Sequence, residues 1–579
     1  MKRHLETKTA PASIRSYFGV RPIGAGRLPR WGSVMLLIVV VVAMLTLAAY
    51  NFSQSMSTEL EAAMMYTKDV QARAAADSGV EFAATLLGNR ASLSAENLIH
   101  NPTLFMGQIV APSTSQRGIC RFSIIAPVER DPRSSGVRYG LMDESAKLNL
   151  NALPNMGISN DDIHTLMLNI PNMTLEITDA ILDWIDSDDT VSTYGAESET
   201  YQQLQPPYKA KNGPLETIDE LLMIRGITPT LLYGEDLNRN GLLDPNENDG
   251  DLSPPMDNAD GVLDRGFIAF FTVQGRESNR RADGKPKINI NDGMLTDLYD
   301  ALEKEFDEVA AKYVIGFRIN GPKTPPPASK TNPPKAAAPG AAKATAPKSL
   351  QEQQVADGLQ EFLTNVVKPA GGTVTRGDID LSKGGAVPIE SLWQLIGTDT
   401  TATIKGKITT LPSPWLSDAS TVATSMQLLQ EKLTTVTATT ANATDDYLEG
   451  RININQAPRE ILLGLPTMTE EIVNAIIAAQ QLDSNGQPSL DKISQHTTSH
   501  WLYSEGLVDL SGMISLDPYI TSSGHVYRVQ ALGFFDVGGP VTRVEAVIDA
   551  TKLPPRIISQ RDLNELGRGY SRGQLLPIR

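Results

Sequence analysis

Cysteine is almost missing from this chain: Cys120 is the only one in 579 residues. That count excludes an internal disulfide and a cysteine-rich zinc site. Cys120 lies in the largely apolar stretch Ile119–Ile125, which reads as a packed thiol in a strand rather than a nucleophile. Histidine is also scarce, with six residues and no His-Glu-x-x-His. His496 and His500 are four apart and can share a helix face, but two ligands do not make a zinc site. Gly-x-Ser-x-Gly, a phosphate loop and a dinucleotide fingerprint are all absent, which removes the common enzyme signatures. Basic charge is in deficit, 51 Lys and Arg against 67 Asp and Glu, for a formal net charge of -16. Such a balance argues against general phosphate binding and suits cation binding or simple solubility. What remains is ordinary for a folded protein, 41% hydrophobic and 20% charged, and the length predicts two or more lobes.

Long apolar runs are lacking too, with one exception. Residues 1–30 hold seven Lys or Arg and one acid, Glu6; from Trp31 to Thr58 there is no charge. The apolar core Val34–Tyr50, at ~1.5 Å per residue, spans most of a bilayer interior of ~30 Å. The positive flank is expected to stay in the cytoplasm and the bulk of the chain outside it. Three readings compete: an ordinary signal peptide cut after the apolar stretch, a plain signal anchor, and a prepilin-type leader cut directly after a glycine, before a retained helix. Arg30-Trp31-Gly32-Ser33 ahead of Val34-Met35-Leu36-Leu37 fits the third and places the cut between Gly32 and Ser33. Glu59 to about Leu87 is rich in Ala, Met, Glu and Gln without proline, and predicts a continuing amphipathic helix. Its expected face is Met56, Leu60, Met64, Thr67, Val70, Ala74, Val80 and Ala84, with Asp77-Ser78-Gly79 a weak point and Gly88-Asn89 a stop.

Farther along, Gly118–Pro127, Gly136–Met142 and Gly266–Gly275 read as strands, and Val526–Phe534 with Val541–Ala550 as a hairpin around Asp536–Pro540. Pro322–Lys348 is Pro, Ala and Lys in low complexity and reads as a linker. One short pattern occurs three times: Leu148-Asn149-Leu150-Asn151, Ile288-Asn289-Ile290-Asn291 and Ile452-Asn453-Ile454-Asn455. Alternating apolar residues bury one side of an extended segment, and the asparagines can bond nearby backbone and start the next helix. The third copy runs into a helix-turn-helix at Glu460–Gln480, echoed at Leu215–Ile227 and Ile389–Gly397. Helix-hairpin-helix units often bind nucleic-acid phosphate, but Glu470 and Glu471 beside this turn would repel it, so a packing role is expected.

The sharpest pattern is Asp236-x-Asn238-x-Asn240-Gly241-x-x-Asp244-x-x-Glu247. It has the spacing of a calcium loop, with Asp236, Asn238, Asn240, Asp244 and Glu247 as oxygen donors, Gly241 at the sharp turn and Leu242 offering its carbonyl. The alternative is a solvated Asp/Asn turn. Asn248-Asp249-Gly250 follows at once, so a structural site is expected rather than a switch. Asp257, Asp260 and Asp264 can complete this site or hold another ion. A separate acidic group, Asp183–Asp189, ends a helix begun near Leu175 and is followed by Glu197. Carboxylates at a helix C-terminus oppose its dipole, so calcium is weighed there against a plain acidic loop. The possible second-site set is Asp186, Asp188, Glu197, Asp257, Asp260 and Asp264.

In chain order, the glycine-bounded apolar helix, Leu148–Asn151, Asp179-Ala180-Ile181-Leu182-Asp183-Trp184-Ile185-Asp186, Gly195-Ala196-Glu197 and Leu215–Gly226 resemble the K-type minor pseudopilin family of type II secretion (general secretion pathway protein K). Pseudopilins usually carry glutamate at the fifth mature position; after a cut at Gly32 that residue is Leu37, and the K family is the exception. The resemblance implies an α+β fold: a pilin-like long N-terminal helix packed on an antiparallel sheet, with large inserted helical domains containing helix-hairpin-helix-like units. It implies calcium, a non-enzymatic role at the pseudopilus tip, a single pass of the inner membrane with the bulk in the periplasm, and no nucleic acid. The implied partners are other minor pseudopilins, inner-membrane secretion components and a prepilin peptidase. The expected division is 1–32 leader, 33–90 pilin helix, 91–148 first part of the core, 149–265 inserted helical domain, 266–321 strand and helices, 322–349 linker, 350–515 second helical region, 516–552 C-terminal hairpin and 553–579 tail. Rival classes are a DNA-uptake pilus component and a calcium-dependent surface protein; a basic patch would favour the first and repeated domains the second.

Overall fold

A computed structural model describes residues 31–89, 98–114, 118–128, 136–323, 374–435, 446–480, 496 and 498–576. Almost all of the expected leader and of the expected linker lies outside these residues. The chain divides into two compact units, Met1–Thr67 and Lys68–Arg579. Helix α1 runs Trp31–Gly88. Its stop at Gly88 is the one the sequence indicates. In the first unit, residues 34–67 of the helix are exposed throughout, and α1 is apolar and long enough to cross a membrane.

In the second unit, the rest of α1 lies on an antiparallel sheet. Its strands are β1 (Gln108–Ala111), β2 (Cys120–Ile124), β3 (Met142–Asp143), β4 (Val526–Phe535), β5 (Thr542–Asp549) and β6 (Arg556–Asp562). The order is β1-β2-β4-β5-β6, with β3 sharing the β2 edge of β4. Period-two alternation gives β4 and β5 two different faces. Tyr527, Val529 and Ala531, with Val544, Ala546 and Ile548, meet Ala76, Val80, Ala83 and Leu87 of α1. The buried stripe of α1 therefore differs from the expected one: Met56, Leu60, Met64, Val70 and Ala74 are exposed, while Val80 and Ala84 are buried. The reason is close approach. A Cβ on Gly533 would overlap the Ala72 carbonyl, and one on Gly79 would crowd Phe122 and Ala531. Gly79 is thus a contact point in an unbroken helix, where small residues let backbone meet sheet.

The opposite face of β4 and β5 carries Arg528, Gln530, Arg543 and Glu545, all hydrogen-bonded. Arg528 bonds Glu144 (2.7 Å) and Glu545 (2.9 Å), pinning the sheet to the segment that leaves β3. Burial works against both carboxylates, yet Arg528 beside them holds Glu144 below its ordinary value and, with Arg561, holds Glu545 down at about 2.

The Leu/Ile-Asn repeat builds three similar modules. Each begins with a two-residue strand paired in parallel with one that closes the module: Leu148–Asn149 with Phe271–Thr272, Ile288–Asn289 with Leu433–Thr434, and Ile452–Asn453 with Ile520–Thr521. In each, the first asparagine's Oδ1 accepts the N–H two residues on. The second asparagine then clamps distant backbone: Asn151 to Leu215 and Val273, Asn291 to Ile389 and Thr435, Asn455 to His496 and Ser522. A second helix follows in each, capped by Thr174, Asp307 or Thr469. The three share a continuous apolar cluster from Leu148 to Ile520. The segment after 265 thus returns to the start of the first module. The 350–515 region also contains a hairpin, Thr400–Ile404 with Lys407–Leu411. Gly266–Gly275 is only partly strand: Phe267–Ala269 is a 3-10 turn ahead of Phe271–Thr272. His496 bonds Glu505 and stacks on Trp501, while His500 pairs with Thr498.

Candidate cation sites

The first module places its acids at the end of the helix Leu175–Ile185, capped at its start by Thr174. Asp179 and Asp183 lie one turn apart, and Asp186 is the C-cap residue. Loop 187–197 then folds back over the helix end. Ser192 donates its N–H to Asp183 (3.2 Å), Tyr194 donates to Asp179 (3.1 Å), and Gly195 comes so near Asp183 that a Cβ there would overlap its carboxylate. This fold-back delivers Glu197. Ligand oxygens of Asp183, Asp186 and Glu197 lie within 4.8 Å of one another, the one acidic group gathered this tightly among the described residues.

Glu197 is 2% exposed, and neither carboxylate oxygen has a hydrogen-bond partner. An unpartnered buried carboxylate among like charges disfavours its own ionised form. Burial, then the charges of Asp183 and Asp186, push Glu197 up to about 7. Burial, then Asp188 and Asp183, push Asp186 up to about 6. A divalent cation fits this set: it would neutralise three converging carboxylates and occupy the orphaned oxygens. Of the expected second-site residues, Asp186 and Glu197 come together, and Asp183 joins them where Asp188 was expected. Asp188 accepts the Thr190 N–H in an exposed turn (2.7 Å). Asp257, Asp260 and Asp264 are not in this group; they accept the N–H groups of Gly250 and Ala259, Val262, and Gly266. Asp183, weighed with its acidic group but left out of the second-site set, had a signal, since Asp179, Asp183 and Asp186 fall at helical spacing on one face.

The loop Asp236–Glu247 closes as its spacing suggests. Asp236 accepts the N–H groups of Asn240 (2.9 Å) and Gly241 (2.8 Å). Asn238 Oδ1 accepts the Asn240 N–H (3.0 Å) and Asn240 Oδ1 the Leu242 N–H (2.6 Å). Gly241 has φ +69°, and a Cβ there would overlap Pro127. Glu247 accepts the N–H groups of Leu237 (3.2 Å) and Asp244 (3.0 Å), while Asp244 accepts the amides of Asn238 (2.6 Å) and Asn240 (3.0 Å). The oxygens of Asp236, Asn238, Asn240 and Glu247 each accept one N–H, so each keeps a second lone pair. Burial raises Asp236; burial, then Asp236 and Asp244, push Glu247 up to about 7. This donor set also fits a hard divalent cation. Gly32 and Ser33, the expected processing residues, lie in the first turn of α1.

Residues 146–233, which include Asp183, Asp186 and Glu197, match the family model described as Type II secretion system (T2SS), protein K. The chain is 45% identical over 58 residues to type II secretion system protein K of Aeromonas hydrophila, covering 10% of this chain and 18% of that protein. It is 26% identical over 212 residues to the Klebsiella pneumoniae protein of that name, covering 34% and 59%. The chain thus spans less than two thirds of either relative. The crystal structure of the GspK-GspI-GspJ complex from enterotoxigenic Escherichia coli aligns over 88% of this chain and 98% of that chain at 11% identity, with a TM-score of 0.27, too low to carry an argument. The family-model match and both relatives thus make this chain similar, over residues 146–233 and the aligned segments, to type II secretion system protein K.

Proposed function

We propose that this protein is a minor pseudopilin of a type II secretion system, a structural rather than catalytic component anchored in the inner membrane with its bulk in the periplasm. One observation carries the reading. The family-matched segment starts directly after β3 of the sheet, and the sheet's other face holds a helix continuous with the apolar N-terminal span. A membrane helix that continues as one flank of an antiparallel sheet is a pilin-like arrangement. The partners are other minor pseudopilins, as the resemblance to the K family implies. A prepilin peptidase is the processing enzyme, cutting between Gly32 and Ser33. Calcium is the cofactor, held by Asp183, Asp186 and Glu197 and by the loop of Asp236, Asn238, Asn240, Leu242, Asp244 and Glu247. Its role is to tie each loop to the modules and the sheet. Modules with acidic turns serve packing rather than nucleic-acid binding.

N-terminal sequencing of the membrane form tests the anchor: a start at Ser33 is expected, and a start beyond Tyr50 would identify an ordinary signal peptide. Co-purification with the other minor pseudopilins tests the role, and a monomer indifferent to all of them would exclude it.

A further inference from the structure

The sequence reads residues 553–579 as a tail. Instead, Arg556–Asp562 extends the sheet, and the chain then turns back over the Asp236–Glu247 loop. Tyr570 and Leu575 share a buried cluster with Leu242, Leu532 and Phe534. The Gly569 carbonyl accepts from Asn240 Nδ2 (2.6 Å). The Tyr570 hydroxyl reaches the Asn240 carbonyl (3.1 Å) and Gln530 Oε1 (2.8 Å). Arg543 Nη2 binds the Asn238 carbonyl (2.6 Å), and Gly569, at φ +71°, leaves no room for a Cβ against the same guanidinium. Farther on, Tyr139 and Ser123 hydroxyls hold the carbonyls of Gln574 and Leu575 (2.8 Å each).

These contacts settle the direction of the Asn240 amide. A carbonyl only accepts, so Gly569 must face Nδ2; the Leu242 N–H only donates, so Oδ1 must face the loop backbone. A calcium loop needs that oxygen, and it needs the Leu242 carbonyl, whose side chain is anchored in the tail's cluster. The geometry points to residues 567–576 as a strap that completes the loop, so that cation binding at Asp236–Glu247 and docking of the C-terminal strap are one coupled equilibrium. This rests on the calcium reading above. Partners that orient metal ligands typically change affinity ~10–100-fold when removed. Coupling is reciprocal: a strap that tightens the ion is itself tightened by it.

The test uses the full chain in detergent. Tyr570→Phe keeps the ring in the cluster and removes only the hydroxyl. Calorimetry with calcium should show loop affinity about tenfold weaker in this variant, with affinity at Asp183, Asp186 and Glu197 unchanged. Trypsin should cut after Arg568 about tenfold more slowly when calcium is present. Loop binding that is intact and equal in both proteins, with cleavage at Arg568 indifferent to calcium, overturns the strap and leaves the calcium reading standing. A wild-type chain whose calcium binding matches that of Asp236→Ala with Glu247→Ala overturns both.

Discussion

Glu197 and Glu545 are both buried, and they answer pH in opposite directions. Glu197 has no partner, so its folded form holds a proton that the unfolded chain gives up near the ordinary carboxylate value. The folded state then binds more protons between about pH 4.5 and 7, and stability falls as pH rises through that window. A cation removes the penalty. Melting in chelator should therefore drop between pH 4.5 and 7.5, and calcium should flatten the drop. Glu197→Gln should melt higher than wild type in chelator at pH 8, yet lose its share of the calcium stabilisation. Equal melting of the two in chelator would mean that the carboxylate is not uncompensated. Glu545 is the reverse case, held down at about 2 by Arg528 and Arg561. Its stabilisation is present above the unfolded value and is lost as pH falls toward 2. Glu545→Gln leaves Arg528 half-paired and should cost roughly 3–5 kcal/mol in urea unfolding at pH 7.

At the scale of elements, the three modules show one short pattern doing one job in three settings. Each second asparagine joins two segments distant in sequence. Asn291, for example, holds Ile389 through both its N–H and its carbonyl, and Thr435 as well. A hydrogen bond is worth ~1 kcal/mol net, and more when its loss strands a buried group. Asn291→Ala should thus cost about 2–3 kcal/mol, and hydrogen exchange should quicken at Ile389 while the clamp at Leu215 stays protected. Uniform quickening in all modules would show that they unfold as one body. The modules also differ where chemistry is concerned. At the end of the second helix, Arg318 and Gln480 reach back to carbonyls near the asparagines, whereas the first module ends in acids. Of the three helix ends, only that one gathers carboxylates closely enough to suit an added cation among the described residues.

For the whole molecule, the order of the chain matters. The sheet under α1 takes β1 to β3 from before the modules and β4 to β6 from after them. Its closure therefore waits on contacts hundreds of residues apart, a topology that folds slowly. A chain ending at Thr521 would strip the β4–β6 side of the cluster from Ala76, Val80 and Leu87 of α1. It should aggregate or be degraded, whereas a chain lacking only residues beyond Leu576 should fold. A truncation at Thr521 that remained soluble and cooperative would show that the modules do not need the sheet.

Local spacing was enough to read α1 and its stop, the β4–β5 hairpin, the repeated asparagine segments and the donor order of the Asp236 loop. Each depends on neighbours within a few residues, where helical or strand period and side-chain-to-backbone bonds govern. The sequence did not reveal the buried stripe of α1, because closeness to Gly533 rather than periodicity selects Ala72 and Ala76. It offered Asp183 only within a wider acidic group and did not pick it out for the set with Glu197, because a loop must fold back before they meet. Nor did it reveal the tail on the Asp236–Glu247 loop, since Asn240 and Gly569 are 329 residues apart. Tertiary structure decides these cases: desolvation, and with it the charge state of a carboxylate, is set by what the rest of the chain brings near it.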